Sequence, residues 1–158
     1  MQVEFVHRLQ ETVPASSAES RSHLELQPDV LREHARHFQT DRFALDVCLP
    51  LERHDRLFEV WMRNSLSGRK HSVAARGNNF VPFREDGEET KIDLVSMLDK
   101  GKGIGTDVIN AVLLHAQRRG KRCVRVVTEC ENVAAIGLYV KTGFIASCYY
   151  TVLHFVRE

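Results

Sequence analysis

Between an apolar run at 92–98 and a helix-patterned stretch at 107–119 lies Lys100-Gly101-Lys102-Gly103-Ile104-Gly105-Thr106, dense in glycine and lysine. Glycine lets a backbone turn tightly and come close to a ligand. The first N–H groups of a following helix have no intrahelical acceptor. An anion placed there is held by amides, by the positive end of the helix dipole and by lysine charge. The segment therefore reads either as a phosphate cradle or as a glycine-rich turn with no ligand. A P-loop needs Lys and then Ser or Thr after its last glycine, but here Thr106 follows Gly105 and the lysines come too early. A dinucleotide fingerprint needs a further glycine where Asp107 and Val108 stand.

A second constellation runs from Cys130 to Phe144. Asn132 is a helix cap by type, which places Tyr139 about two turns along that helix. Gly143 suits the left-handed residue after a helix, and Phe144 opens the next strand. His34 and His37, one turn apart, could share a metal, but no third ligand has suitable spacing and a solvated pair is the simpler reading. Cys48, Cys123, Cys130 and Cys148 form no C-x-x-C pair, so neither a zinc site nor a disulfide framework is expected, and the thiols should be reduced and mostly buried.

The elements that must hold these groups follow from periodicity. Val3 to Leu9 reads as a strand and Pro14 to Ser20 as a loop. Pro28 opens a helix with Val30, Leu31, His34, Ala35 and Phe38 on one face, and Pro50 opens another with Leu57, Phe58, Trp61, Met62 and Leu66 inward. A period near two then gives strands at 71–75, 80–84 and 91–98, with Pro82 unable to donate to a ladder. A helix from Thr106 ends at Gly120, a strand spans 122–128, a helix 132–141, and strands 144–149 and 151–156 follow. Arg118, Arg119, Lys121 and Arg122 complement the dipole at that helix end. At 158 residues and net charge +1, one domain covering 1–158 is expected, with no electrostatic footprint for nucleic acid or an anionic membrane. No secretory leader or membrane-length apolar run is present in this sequence, so the expected location is cytoplasmic.

Lys100, Gly103 and Gly105 match the R/Q-x-x-G-x-G/A cradle of the GNAT superfamily with a conservative first residue. Asn132, Ala134, Ala135, Leu138, Tyr139, Gly143 and Phe144 match its later motif, and on both the chain resembles GNAT acetyl-CoA-dependent N-acetyltransferases. The resemblance implies an α/β (α+β) GNAT fold with a central mixed sheet, in the order β-α-α-β-β-β-α-β-α-β-β. It implies backbone pairing of pantetheine near Val95, Ser96 and Met97. It also implies pyrophosphate on Gly101, Lys102, Gly103, Ile104, Gly105 and Thr106, with Lys100 and Asn132 contributing. A neutral amine would attack the thioester while Tyr139 protonates the leaving thiolate, and Asp93, Glu129 or His154 would take the ammonium proton. The link from Met97 to Lys100 is shorter than in the family pattern, and its frequent proline is missing, which sets Lys100 differently.

Arg42-Phe43 with Asp46, Trp61 to Gly68, Ile92-Asp93-Leu94, Val126 to Thr128 and Tyr150 to His154 resemble GNATs of the dTDP-fucosamine type, which acetylate nucleotide-linked amino sugars. Those proteins often carry an additional amino-terminal half. This narrower likeness implies a small-molecule amine acceptor, with Arg42, Asp46, Asn64 and Ser65 as substrate-side residues. A homodimer is the assembly the superfamily implies, and no metal is expected. Acetylation of another small amine or of a protein amino group, and non-catalytic acyl-CoA binding, remain open at this point.

Overall fold

The computed structural model describes residues 1–9, 12–38, 41, 43–44 and 49–153. Its strands are β1 (Gln2–Arg8), β2 (Glu19–Arg21), β3 (Ser72–Arg76), β4 (Asn79–Asp86), β5 (Glu89–Ile92), β6 (Cys123–Glu129) and β7 (Ile145–Tyr150). Its helices are α1 (Pro28–Ala35), α2 (Leu51–Leu66), α3 (Ile104–Arg118) and α4 (Val133–Lys141). The strands form a single mixed sheet in the order β2-β3-β4-β5-β6-β1-β7, in which β5 and β6 run parallel and every other neighbour is antiparallel.

Strand alternation sends neighbouring residues to opposite faces, and both faces are apolar. On one face Val73, Ala75 and Phe80 pack with Leu31 and Ala35 of α1 and Phe58, Met62 and Leu66 of α2. On the other, Ala74, Val81, Phe83 and Val124 pack with Val108, Ile109, Val112 and Leu113 of α3. The sheet is thus the middle layer between α1–α2 and α3–α4.

Several expectations are corrected. Part of the expected loop at 14–20 pairs with β3 as β2, a strand too short and polar to show a period. Leu57 is 39% exposed although it lies beside the buried Phe58. α3 begins at Ile104, ahead of Thr106. Of the second carboxyl-terminal strand, Thr151 to Leu153 carry no strand and the rest lies outside the described residues. Cys123 is buried, but Cys148 on β7 is exposed and Cys130 half-buried, so the thiols are not mostly buried; Cys48 lies outside the described residues.

Only one member of the histidine pair is solvated: His37 is exposed and His34 is not. His34 is fully buried; its Nε2 is 2.9 Å from the Asn78 carbonyl and its Nδ1 2.6 Å from Ser96 Oγ. The carbonyl can only accept, so Nε2 carries the proton and Nδ1 accepts from the serine hydroxyl. Burial lowers the pKa of this imidazole, in keeping with a neutral ring. The basic cluster after α3 does more than face the dipole: Arg119 and Lys121 reach Glu85, and Arg122 reaches Glu88.

Candidate active site

β5 and β6 pair only from Glu89↔Cys123 to Lys91↔Arg125. Beyond that point they separate, and a cleft of about 800 Å³ opens between 93–97 on one side and Val126 to Glu129 on the other. The separation begins with a slip in the β4–β5 ladder. From Phe83↔Ile92 to the bridge Phe80↔Ser96, β4 advances by three residues while the opposing chain advances by four. One residue is extra, which is a β-bulge. Pro82 sits opposite it; lacking an N–H it cannot donate to the ladder, but its carbonyl accepts from the Asp93 N–H at 2.9 Å. The expected strand 91–98 is therefore cut at Ile92, and the link to Lys100 is correspondingly longer than the strand pattern implies.

Ser96 contributes to the cleft wall but has little left to offer a ligand. Its N–H and C=O bond to Phe80, both at 3.0 Å, and its hydroxyl is held by His34. In an antiparallel ladder adjacent residues direct their backbone groups to opposite sides, so Val95 and Met97 present theirs toward the cleft. Such an edge pairs readily with an extended, amide-bearing ligand.

The glycine loop is anchored by a residue that no motif or period marks. Asn79, 1% exposed, accepts from the N–H groups of Leu98 (2.9 Å) and Asp99 (3.0 Å) through Oδ1. Its Nδ2 donates to the Arg76 carbonyl (3.1 Å) and the Asp99 carboxylate (2.9 Å). Asp99 also takes Lys102 Nζ at 3.1 Å, and these contacts, the Asn79 bond first, hold its pKa below the usual carboxylate range. Lys102 is consequently turned onto Asp99 and does not line the cleft, whereas Lys100, Gly101, Gly103, Ile104, Gly105 and Thr106 do. Gly101 and Gly103 have φ of 77° and 73°, a left-handed conformation that side chains with a Cβ resist. Two such turns deliver the chain into α3 with its first amides facing the cleft. Asp107 moors that first turn: its carboxylate accepts from the Ser17 N–H (2.8 Å) and hydroxyl (2.7 Å) and meets Arg76 at 3.1 Å.

Across the cleft, Asn132 caps α4, its Oδ1 accepting from the Ala135 N–H at 3.2 Å. The cap fixes the helix phase that brings Tyr139 to the cleft wall, where its ring lies 5.6 Å from Phe5 and 5.8 Å from Phe144. Tyr139 is 2% exposed, and burial pushes its phenol further above the usual tyrosine range. A phenol that stays protonated is a donor, not a base.

Carboxylates and aromatic rings also line the cleft. Asp93 Oδ2 accepts from Trp61 Nε1 at 2.9 Å and from the Ser65 hydroxyl at 2.5 Å. Ser65 is thus buried behind Asp93, and Asn64 is exposed on the outer face of α2; neither lines the cleft, contrary to their expected substrate-side place. Glu129 lines it, with Gln2 Nε2 donating to its carboxylate at 3.0 Å. Arg42, Asp46 and His154 lie outside the described residues. The wall is completed by Phe38 stacked on Phe58 at 4.4 Å, by Trp61, and by Phe43 beside Asp41. Asp41 Oδ1 accepts from the N–H groups of Phe43 and Ala44, and its Oδ2 meets the buried His54 at 2.9 Å. Burial pulls the His54 pKa down, but its bonds to Asp41 and Asp55 outweigh that and the net shift is upward. Neither Asp41 nor His54 had a periodic or motif signal to mark it. Among the described residues no helix is long and apolar enough to cross a membrane.

The Acetyltransferase (GNAT) family model matches residues 94–144, the span from the bulge to Phe144. Spore coat polysaccharide biosynthesis protein SpsD of Bacillus subtilis is 28% identical over 124 residues, 74% of this chain and 43% of that protein. The dTDP-fucosamine acetyltransferase of Escherichia coli O6:H1 is 29% identical over 114 residues, 67% of this chain and 49% of that protein. The chain therefore spans half or less of the length of these curated relatives. A putative GNAT-family acetyltransferase structure from Novosphingobium aromaticivorans superposes over 92% of this chain and 59% of its own, with a TM-score of 0.59 at 15% identity. The family match thus runs from the bulge through the glycine-turned entry to α3 as far as Phe144, and the split mixed sheet around it is a fold shared with GNAT-family structures.

Proposed function

We propose that this chain is an N-acetyltransferase that moves acetyl from acetyl-CoA directly to a primary amine. The observation that carries the reading is the continuity of one cleft: open strand edges, then the glycine turns and first amides of α3, with Tyr139 opposite. The donor set fits acetyl-CoA part by part. Val95 and Met97 offer backbone groups to the pantetheine amides, and Gly101, Gly103, Ile104, Gly105 and Thr106 offer amides to the pyrophosphate. Lys100 and Lys141 both line the cleft as cations. The thioester supplies an activated acyl carbon. Asp93 or Glu129 takes a proton from the acceptor ammonium, so that a lone pair is available for attack. Tyr139 donates to the sulfur as the C–S bond breaks.

Within this reading the acceptor is an amino sugar on a nucleotide carrier, supported by the likeness to a dTDP-fucosamine acetyltransferase and to a spore coat polysaccharide biosynthesis protein. Residues 1–158 act as one domain, in the cytoplasm and as a homodimer. Mass spectrometry after incubation with acetyl-CoA and a panel of nucleotide-linked amino sugars, polyamines and peptide amines tests the proposal. One acetyl added to an amino sugar is the expected result. Acetylation confined to other amines retires the sugar, and acetyl-CoA binding with no product on any amine retires the enzyme.

A further inference from the structure

Behind Asp93, away from the cleft, lies a histidine that the reading so far leaves without a task. His71 directly precedes β3, and both of its ring nitrogens are buried with no hydrogen-bond partner among the described residues. Its Nε2 lies 3.6 Å from Asp93 Oδ2. An imidazole left unbonded in a protein interior is costly, because the desolvation of two polar atoms is not repaid. Asp93 meanwhile is fixed: Trp61 and Ser65, both from α2, donate to Oδ2, and Arg84 of β4 stands 3.8 Å from Oδ1. The carboxylate thus reaches the cleft on one side and the imidazole on the other.

We propose that His71 is a proton reservoir for the transfer reaction, accepting through Asp93 the proton that the acceptor ammonium gives up. This inference rests on the reading above in which Asp93 serves as the base. His71 acts through Asp93 and does not line the cleft, so it is a positioning and storage residue. The ammonium proton passes to the Asp93 carboxylate and on to His71, leaving a neutral amine. The amine lone pair forms the C–N bond as the C–S pair withdraws onto sulfur. Tyr139 gives its proton to the thiolate and regains one from the nitrogen of the adduct. After the amide product leaves, the proton on His71 returns through Asp93 to water in the open cleft, matching the one proton released per turnover.

A reservoir must be neutral before each turnover. Burial holds the His71 pKa below 6.5; the charges acting on its ring are Asp93, which raises it, and Arg84 and Lys70, which lower it. The ring is therefore ready to accept near neutral pH and is already filled at low pH.

Two measurements test this. In nitrogen-15 NMR of the imidazoles, His71 should titrate below 6.5 in the wild-type protein and lower still in Asp93→Asn, since the raising charge is gone; an unmoved titration overturns the coupling. In kinetics with dTDP-fucosamine, or the amine the screen identifies, His71→Asn should lower kcat roughly tenfold. It should also abolish the acid limb of the kcat/KM profile set by His71, with acetyl-CoA affinity unchanged. A profile identical in shape to wild type overturns the reservoir even if the rate falls, because a purely structural loss scales all pH values alike. Should His71→Asn fold poorly, His71→Gln carries the same test. Full activity of Asp93→Asn would instead retire the base reading. Inactive Asp93→Asn beside an unaltered His71→Asn profile would retire the reservoir alone.

Discussion

The two walls of the cleft are made in different ways. The wall from the bulge to α3 is built of backbone: a slipped ladder at Pro82, two left-handed glycines, and amides fixed by Asn79. The wall from Phe38 to Asp93 is built of side chains gathered from distant elements: Trp61 and Ser65 of α2 on Asp93, Phe38 on Phe58, and His54 on Asp41. A backbone wall suits what every acetyl-CoA reaction shares, since amides do not depend on residue identity. A side-chain wall can be exchanged residue by residue, which suits it to the acceptor.

That contrast breaks first at Tyr139, which lines the cleft from α4 and belongs to neither wall. Tyr139→Phe should lower kcat about a hundredfold or more, within the range for a lost proton donor, with acetyl-CoA affinity unchanged by calorimetry. An unchanged kcat would remove the acid from the mechanism.

Next comes Asn79. Its replacement by alanine leaves the Leu98 and Asp99 amides without their buried acceptor, at a cost of about 2–4 kcal/mol in urea unfolding. Acetyl-CoA should bind more weakly as the glycine loop loosens. If stability falls and affinity does not, the loop does not depend on this anchor.

A smaller effect is expected from Gly103→Ala. A Cβ at this left-handed φ costs about 1–2 kcal/mol, and acetyl-CoA affinity should fall by up to about tenfold as the entry to α3 shifts. Ser65→Ala, on the other wall, should instead change the rate with the amine and spare acetyl-CoA, and the reverse outcome would erase the distinction.

The smallest effect lies away from the cleft, at Glu85. Lys121 first, then Arg119 and His115, hold its carboxyl at about 2 against an ordinary 4.5. A depressed carboxyl contributes stability above 4.5 that disappears as pH falls toward about 2. The gap in Tm between wild type and Glu85→Gln should therefore be full at neutral pH and close in acid. A gap independent of pH would mean that these ion pairs add nothing.

Most of the backbone wall was legible. Glycines mark left-handed turns, Asn132 marks a cap, and periodicity marks the helices that follow, because each of these is a local constraint on φ, ψ or hydrogen bonding. Even here the bulge was missed: the apolar run at 92–98 reads as continuous, and only pairing with Phe80 and Phe83 reveals the extra residue. The side-chain wall was legible in its residue types and not in its arrangement. Ser65 was expected to face the acceptor and instead supports Asp93. His34, read as half of a solvated pair, is a neutral core residue tying α1 to Ser96.

The sequence by itself determined most of the element types, the glycine turn that leads into α3 and the place of Tyr139 on its helix, since these depend on residues a few positions apart. The tertiary structure alone decided where β5 leaves β6, that Asn79 holds the loop, and that Trp61, Ser65 and His71 converge on Asp93. Those outcomes depend on contacts between residues far apart in the chain, settled only when packing on both faces of the sheet fixes which side chains meet.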